Sequence, residues 1–148
     1  MSANEKNDAK GYELFDHTAD IGVKAYGANL PSVFENTANG MFAVIFHNSM
    51  PNIKAKGEYR IKLHASDLEE LLKNWLDELL FIFTTEHIIF SKYQISIDPE
   101  KLTLDALIGG EIVSEEMLLK TCEIKAVTYH MLKVEKTNHW EAQVLFDI

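Results

Sequence analysis

The stretch from Ser66 to Phe83 constrains this chain more than any other. Leu68, Leu71, Leu72, Trp75, Leu76, Leu79, Leu80 and Phe83 fall at positions i, i+3, i+4, i+7, i+8, i+11, i+12 and i+15, which lines one face of a helix. Ser66 and Glu69 have the spacing of a capping box, in which the serine oxygen accepts a first-turn N–H and the glutamate reaches back. Asp67, Glu70, Lys73, Asp77 and Glu78 lie off the stripe and read as a solvated face. Such a stripe must be covered, and the flanking sequence offers strands to cover it.

Ahead of this helix, strand patterns occupy residues 12–15 and 21–26, where Ile21, Val23 and Ala25 alternate with Gly22, Lys24 and Tyr26. Asn29 can cap a second helix with Pro31 in its first turn and Phe34, Ala38, Met41, Phe42 and Ile45 on one face. Gly40 weakens that pattern. A loop around residues 47–57 precedes a half-buried strand carrying Tyr59, Ile61 and Leu63. After Phe83 the period drops to two, first at Tyr93, Ile95 and Ile97, then at Leu102, Leu104, Ala106 and Ile108 across a turn near Pro99. Gly109-Gly110 breaks that run, and residues 111–120 carry no readable pattern. Ile124, Ala126, Thr128, His130, Leu132 and Val134 share one strand face, and Trp140, Ala142, Val144 and Phe146 another. The expected architecture is α+β, one layered domain over residues 11–148 with mostly antiparallel strands on two main amphipathic helices. Residues 1–10, polar and lysine-containing, are expected to form a flexible tail.

Charge narrows the function classes. Fourteen basic against 23 acidic side chains give a net −9, a surface that repels phosphate backbones and favours cations or a basic protein partner. Strong direct nucleic-acid binding is therefore not expected. The one cysteine, Cys122, allows neither an internal disulfide nor a Cys₄ zinc site, and reads as a small core hydrophobe. No apolar leader opens the chain and no run of about 18 apolar residues occurs, so a cytoplasmic protein without a membrane span is expected. Phosphate-loop, GxGxxG, GxSxG and HExxH motifs are missing. Of the six histidines, His47, His64, His87 and His139 read as surface residues.

Three segments resist a purely architectural reading. Asp16-His17-Thr18-Ala19-Asp20 lies between two strands, where aspartates ordinarily serve turn chemistry. At the chain end, the alternation that buries Phe146 turns Asp147 outward, beside the terminal carboxylate of Ile148. Two adjacent anions on an ordered backbone repel, and a hard cation held by oxygen ligands would relieve that repulsion. In Lys125-Ala126-Val127-Thr128-Tyr129-His130, the alternation puts Lys125, Val127 and Tyr129 outward and His130 inward with Leu132, a pattern an ordinary packed strand also produces.

Taken with the helix start Asp67-Leu68-Glu69-Glu70-Leu71-Leu72, these segments and the ending Phe146-Asp147-Ile148 make the chain resemble the archease family. The resemblance runs from about Tyr12 to Ile148 without a departure at the key positions. It implies an accessory protein, not an enzyme, that activates an RtcB-type RNA ligase in tRNA splicing or RNA repair by promoting guanylylation of the ligase and multiple turnover. It also implies a divalent-metal site matching Asp20, Asp147 and Ile148, with calcium expected and magnesium or manganese possible. Lys125 matches the residue for ligase activation, and Asp16, His17 and His130 fall in supporting positions. A monomer or weak oligomer is expected. Two other classes fit the bare residues: a metal-dependent phosphoester hydrolase with His17 or His130 as base, and a chaperone-like interaction module with a structural metal. Turnover of a generic phosphodiester, or binding of varied unfolded clients, distinguishes them.

Overall fold

The computed structural model describes residues 11–148; the tail expected over residues 1–10 lies outside them. Strands Tyr12–His17 (β1) and Asp20–Gly27 (β2) form a tight hairpin around Thr18 and Ala19, with Thr18 at a positive φ of 42°. Helix α1, Leu30–Ile45, starts as its sequence dictates: Asn29 accepts the Ser32 N–H at 2.9 Å and Pro31 occupies the first turn. Its Gly40 has a packing reason. A Cβ there would lie 2.5 Å from Val23 Cγ1, so glycine lets the helix sit close on β2.

Helix α2 spans Leu68–Glu86, but its cap is one residue later than the expected Ser66–Glu69 box. Asp67 is the N-cap and accepts the Glu70 N–H at 2.7 Å, while Glu70 Oε1 accepts the Ser66 N–H at 3.1 Å. Two overlapping registers compete here, and the charged acceptor suits the positive end of the helix better than a hydroxyl. Glu69 is instead half-buried, and its carboxyl is raised by burial first and by the nearby Asp67 charge second. The rest of the stripe behaves as expected. Leu71, Leu72, Trp75, Leu76 and Leu79 are all fully buried, and Trp75 Nε1 donates to Phe34 O at 3.1 Å, which satisfies the indole on α1.

Gly57–His64 (β3), Ile88–Asp98 (β4) and Thr103–Ile112 (β5) form a three-stranded antiparallel sheet in the order β3-β5-β4. Contrary to the sequence reading, Gly109-Gly110 does not end β5. A Cβ on Gly110 would collide with Ile89 O beside a register shift between Phe90 and Lys92, so glycine allows the two backbones to approach where β4 bulges. The unreadable stretch contains a single helical turn, Glu115–Leu118 (α3).

A five-stranded antiparallel sheet completes the fold. Its path is β1-β2-β8-β6, with Ala126–Val127 (β6), Lys133–Lys136 (β7) and Trp140–Asp147 (β8), and β7 also pairing β8. The continuous strand expected over residues 124–134 is corrected here. Val127 is buried whereas Ala126 and His130 are exposed, because pairing stops after two residues and the chain turns, with Leu132 N–H donating to Tyr129 O and Met131 at φ 57°. Cys122 is half-buried in the loop after α3 rather than in a strand core. Helix α1 packs on β2 of one sheet and β4 of the other, and α2 also touches strands of both. The helices therefore join two sheets into one α+β core.

Candidate functional site

Strand register brings the chemically suggestive segments to one corner of the five-stranded sheet. His17 pairs with Asp20, Asp20 with Asp147, and Asp147 with Ala126. Directly opposed residues of antiparallel strands share a face, so these four form one row across β1, β2, β8 and β6. His17 Nδ1 lies 3.8 Å from Asp20 Oδ2 and is buried without a hydrogen-bond partner among the described residues. The His130 ring approaches the His17 ring at 5.4 Å between centroids. Phe146 is fully buried and Asp147 exposed, as the alternation requires. The chain end is anchored from both sides: the Ile148 side chain packs against the core, and Lys125 N–H donates to Asp147 O at 2.7 Å.

Like charges directly opposite one another in a sheet are destabilising, and Asp20 faces Asp147 in that relation. The donor set fits a hard divalent cation, because it is carboxylate oxygen on ordered strands. Among the described residues no three His, Cys, Asp or Glu side chains form a metal-holding group. Asp20 and Asp147 are thus two carboxylates in register, and Ile148 follows Asp147 directly in the chain.

The Archease protein family (MTH1598/TM1083) matches residues 12–148. Protein archease from Methanothermobacter thermautotrophicus is 42% identical over 142 residues, covering 94% of this chain and 99% of that protein. Protein archease from Sulfurisphaera tokodaii is 38% identical over 138 residues, covering 93% and 98%. The solution structure of Methanobacterium thermoautotrophicum protein 1598 superposes with a TM-score of 0.75 at 40% identity, covering 94% of this chain and 99% of that one. The chain belongs to the archease family. Archease membership is consistent with the accessory role expected from the sequence. Among the described residues no helix is long and apolar enough to cross a membrane.

Not every archease motif residue reaches the row. Asp16 pairs with Ile21, which pairs with Phe146, so the strand pleat turns exposed Asp16 to the opposite face from Asp20. Lys125 is exposed at the end of β6, and its tie to the corner is through its amide. His130 lies in the turn after β6, exposed, rather than inward with Leu132. His47, His64 and His87 are exposed as expected, while His139 is half-buried with Nε2 3.2 Å from Glu141 Oε1.

The sequence reading missed how the turn of residues 128–132 is held. Thr128 donates to Leu145 O from both its N–H, at 3.1 Å, and its Oγ1, at 2.9 Å. Gln143 Nε2 donates to Met131 O at 2.9 Å. Tyr129 stands 65% exposed with Lys73 Nζ 4.9 Å from its ring centroid. The period-two pattern hid these anchors, since Thr128 and Gln143 are ordinary strand residues in it.

Proposed function

We propose that this chain activates an RtcB-type RNA ligase, promoting guanylylation of the ligase active-site histidine by GTP and multiple turnover in tRNA splicing or RNA repair. The observation that carries the reading is the register that sets Asp20 against Asp147 beside the chain terminus. In this reading Asp20, Asp147 and the Ile148 carboxylate hold a divalent cation, calcium or else magnesium or manganese. When bound, it would supply positive charge at an acidic corner, suited to nucleotide phosphate oxygens.

The chain's own residues do the rest. Asp20 and Asp147 offer oxygen from adjacent, register-locked strands, so little ordering entropy remains to be lost on binding. His17 lies beside Asp20, with the His130 ring against its own, and limits where the Asp20 carboxylate can swing. Lys125, exposed next to the chain end, adds a cation able to meet phosphate as the corner enters the ligase nucleotide site. The net charge of −9 suits docking on a partner that must itself be basic to hold RNA.

The test is ligase guanylylation by GTP with and without this chain, at limiting ligase, for wild type, Asp20→Ala and Asp147→Ala. Marked acceleration by wild type, lost in both variants while they stay folded, is the expected result. No acceleration at any ratio overturns the reading.

A further inference from the structure

Strands β6 and β7 lie along the same edge of β8 and form one strand with an interruption. Ala126 faces Asp147 and Val127 faces Phe146, a register that, continued, would set His130 opposite Gln143. Lys133 stands there instead, so three residues are looped out. Bulges re-aim side chains and concentrate beside functional sites. This one leaves the sheet at Thr128, passes through Met131 at φ 57°, and closes where Leu132 N–H donates to Tyr129 O. A positive φ is unfavourable for methionine, so the loop must be held in place.

The ties fall on the residues around His130. Thr128 Oγ1 donates to Leu145 O at 2.9 Å, beside the bond from its own N–H. Tyr129 lies under Lys73 Nζ of α2. Gln143 Nε2 donates to Met131 O at 2.9 Å, which pins the strained residue to the strand from which it was looped away. Between these ties, the His130 ring meets the His17 ring at 5.4 Å, and His17 Nδ1 lies 3.8 Å from Asp20 Oδ2. The adjacent row of the same face is filled. Leu145 shares that face with Asp147 yet is fully buried, and in register with it stand Gly22 and Phe15. The Phe15 ring occupies the place a Cβ on Gly22 would take, so His17 has little room to move away from Asp20 on that side.

We propose that Thr128 and Gln143 are positioning residues for the corner: they lock the loop that lays His130 on His17, and through His17 they keep the Asp20 carboxylate facing Asp147. The proposal rests on the function proposed above, because it concerns how tightly the same corner takes its cation. Neither residue touches the cation. Each acts through the histidine pair, as groups that orient metal ligands do, and removing such groups typically weakens metal binding roughly 10–100-fold.

The experiment uses the full chain as wild type, Thr128→Val, Thr128→Ser, Gln143→Met and the double variant Thr128→Val, Gln143→Met. Valine keeps the shape of threonine and methionine the length of glutamine, each without the donor; serine keeps the hydroxyl. Two readouts are taken: the nuclear Overhauser effect between the His17 and His130 rings in EDTA, and cation affinity from melting curves over a concentration series. The cation is whichever of calcium, magnesium and manganese most raises wild-type melting. The double variant should lose the ring contact and bind the cation at least about tenfold more weakly, each single variant should show part of that loss, and Thr128→Ser should stay within about threefold of wild type. Should the double variant not fold, the single variants decide. Loss of the ring contact without loss of affinity overturns the proposal, and so does loss of affinity with the contact intact. A lower melting temperature in EDTA with wild-type affinity would make the two bonds merely structural, and overturns it as well. In these cases Asp147→Asn, melted alongside, still loses the cation's effect and the corner stands. Wild type that melts alike with every cation and with EDTA removes the proposed cation site, and this proposal with it.

Discussion

The two sheets rest on the same pair of helices, yet they treat charge in opposite ways. On the three-stranded sheet, Asp105 and Glu111 are both answered by basic residues of the chain. Arg60 donates from Nε and Nη2 to the two Asp105 oxygens at 3.0 and 2.8 Å, and Glu111 accepts from Lys54 N–H and pairs with Lys56 Nζ at 3.3 Å. At the corner of the five-stranded sheet, Asp20 is set against Asp147, and the neighbouring His17 Nδ1 is buried with no hydrogen-bond partner among the described residues. Like charges in register cost stability, and natural folds keep such local conflicts mainly where function requires them. The paired sheet reads as scaffold and the conflicted corner as the site.

The comparison can be broken in several ways. The largest effect should ignore it altogether. Gly40→Ala pushes a methyl into Val23 and should cost about 1–3 kcal/mol. Because α1 touches both sheets, urea unfolding should stay a single transition by both tryptophan fluorescence and circular dichroism. Separate transitions would mean the sheets do not share a core.

Next, Asp147→Ala should slow ligase guanylylation at least about tenfold, whereas Asp105→Ala, which removes a carboxylate from the other sheet, should leave it within twofold. Equal losses would erase the distinction between scaffold and site. Extending the chain by Gly-Ser after Ile148 converts the terminal carboxylate into an amide and moves the new terminus away. A several-fold loss of activation is expected, with unchanged circular dichroism; full activity in the extended protein would remove Ile148 from the ligand set.

The smallest effect concerns the paired sheet. The hydrogen bond from Arg60 holds the Asp105 carboxyl below its ordinary range, against some desolvation. A carboxyl lowered in the folded state contributes stability above its unfolded pKa of about 3.9, and loses it as pH falls through the folded value. Asp105→Asn should therefore melt slightly below wild type at pH 7, and the gap should close at strongly acidic pH. A gap that widens on acidification would contradict the sign.

Much of this contrast was legible in residues. Periodicity of 3.6 located both long helices, and Asn29 and Pro31 marked the start of α1. Period-two alternation placed Phe146 inward and Asp147 outward. Four elements failed for physical reasons. Ser66 and Asp67 offer overlapping caps, and only the folded helix reveals which oxygen receives the amide. Gly109-Gly110 is a strand breaker by propensity, but here it is the residue pair that a bulged neighbour can approach. Residues 124–134 alternate convincingly, yet they pair for two residues and then turn, because the polar side chains that pin the turn lie on β8 and at Thr128. The corner itself depends on register between segments more than a hundred residues apart, which no local pattern encodes; the resemblance to archeases supplied its members, and the structure set Asp16 apart from them.

The central claim is that the corner of the five-stranded sheet holds a divalent cation through carboxylate oxygen. Its most direct test is thermal melting with calcium, magnesium, manganese or EDTA, on wild type, Asp147→Asn and Asp105→Asn. A cation at about 100 times its dissociation constant stabilises by about 2.7 kcal/mol, so wild type and Asp105→Asn should gain several degrees over EDTA, while Asp147→Asn should gain none. Equal gains in all three proteins, or no gain in wild type with any of the cations, would contradict it.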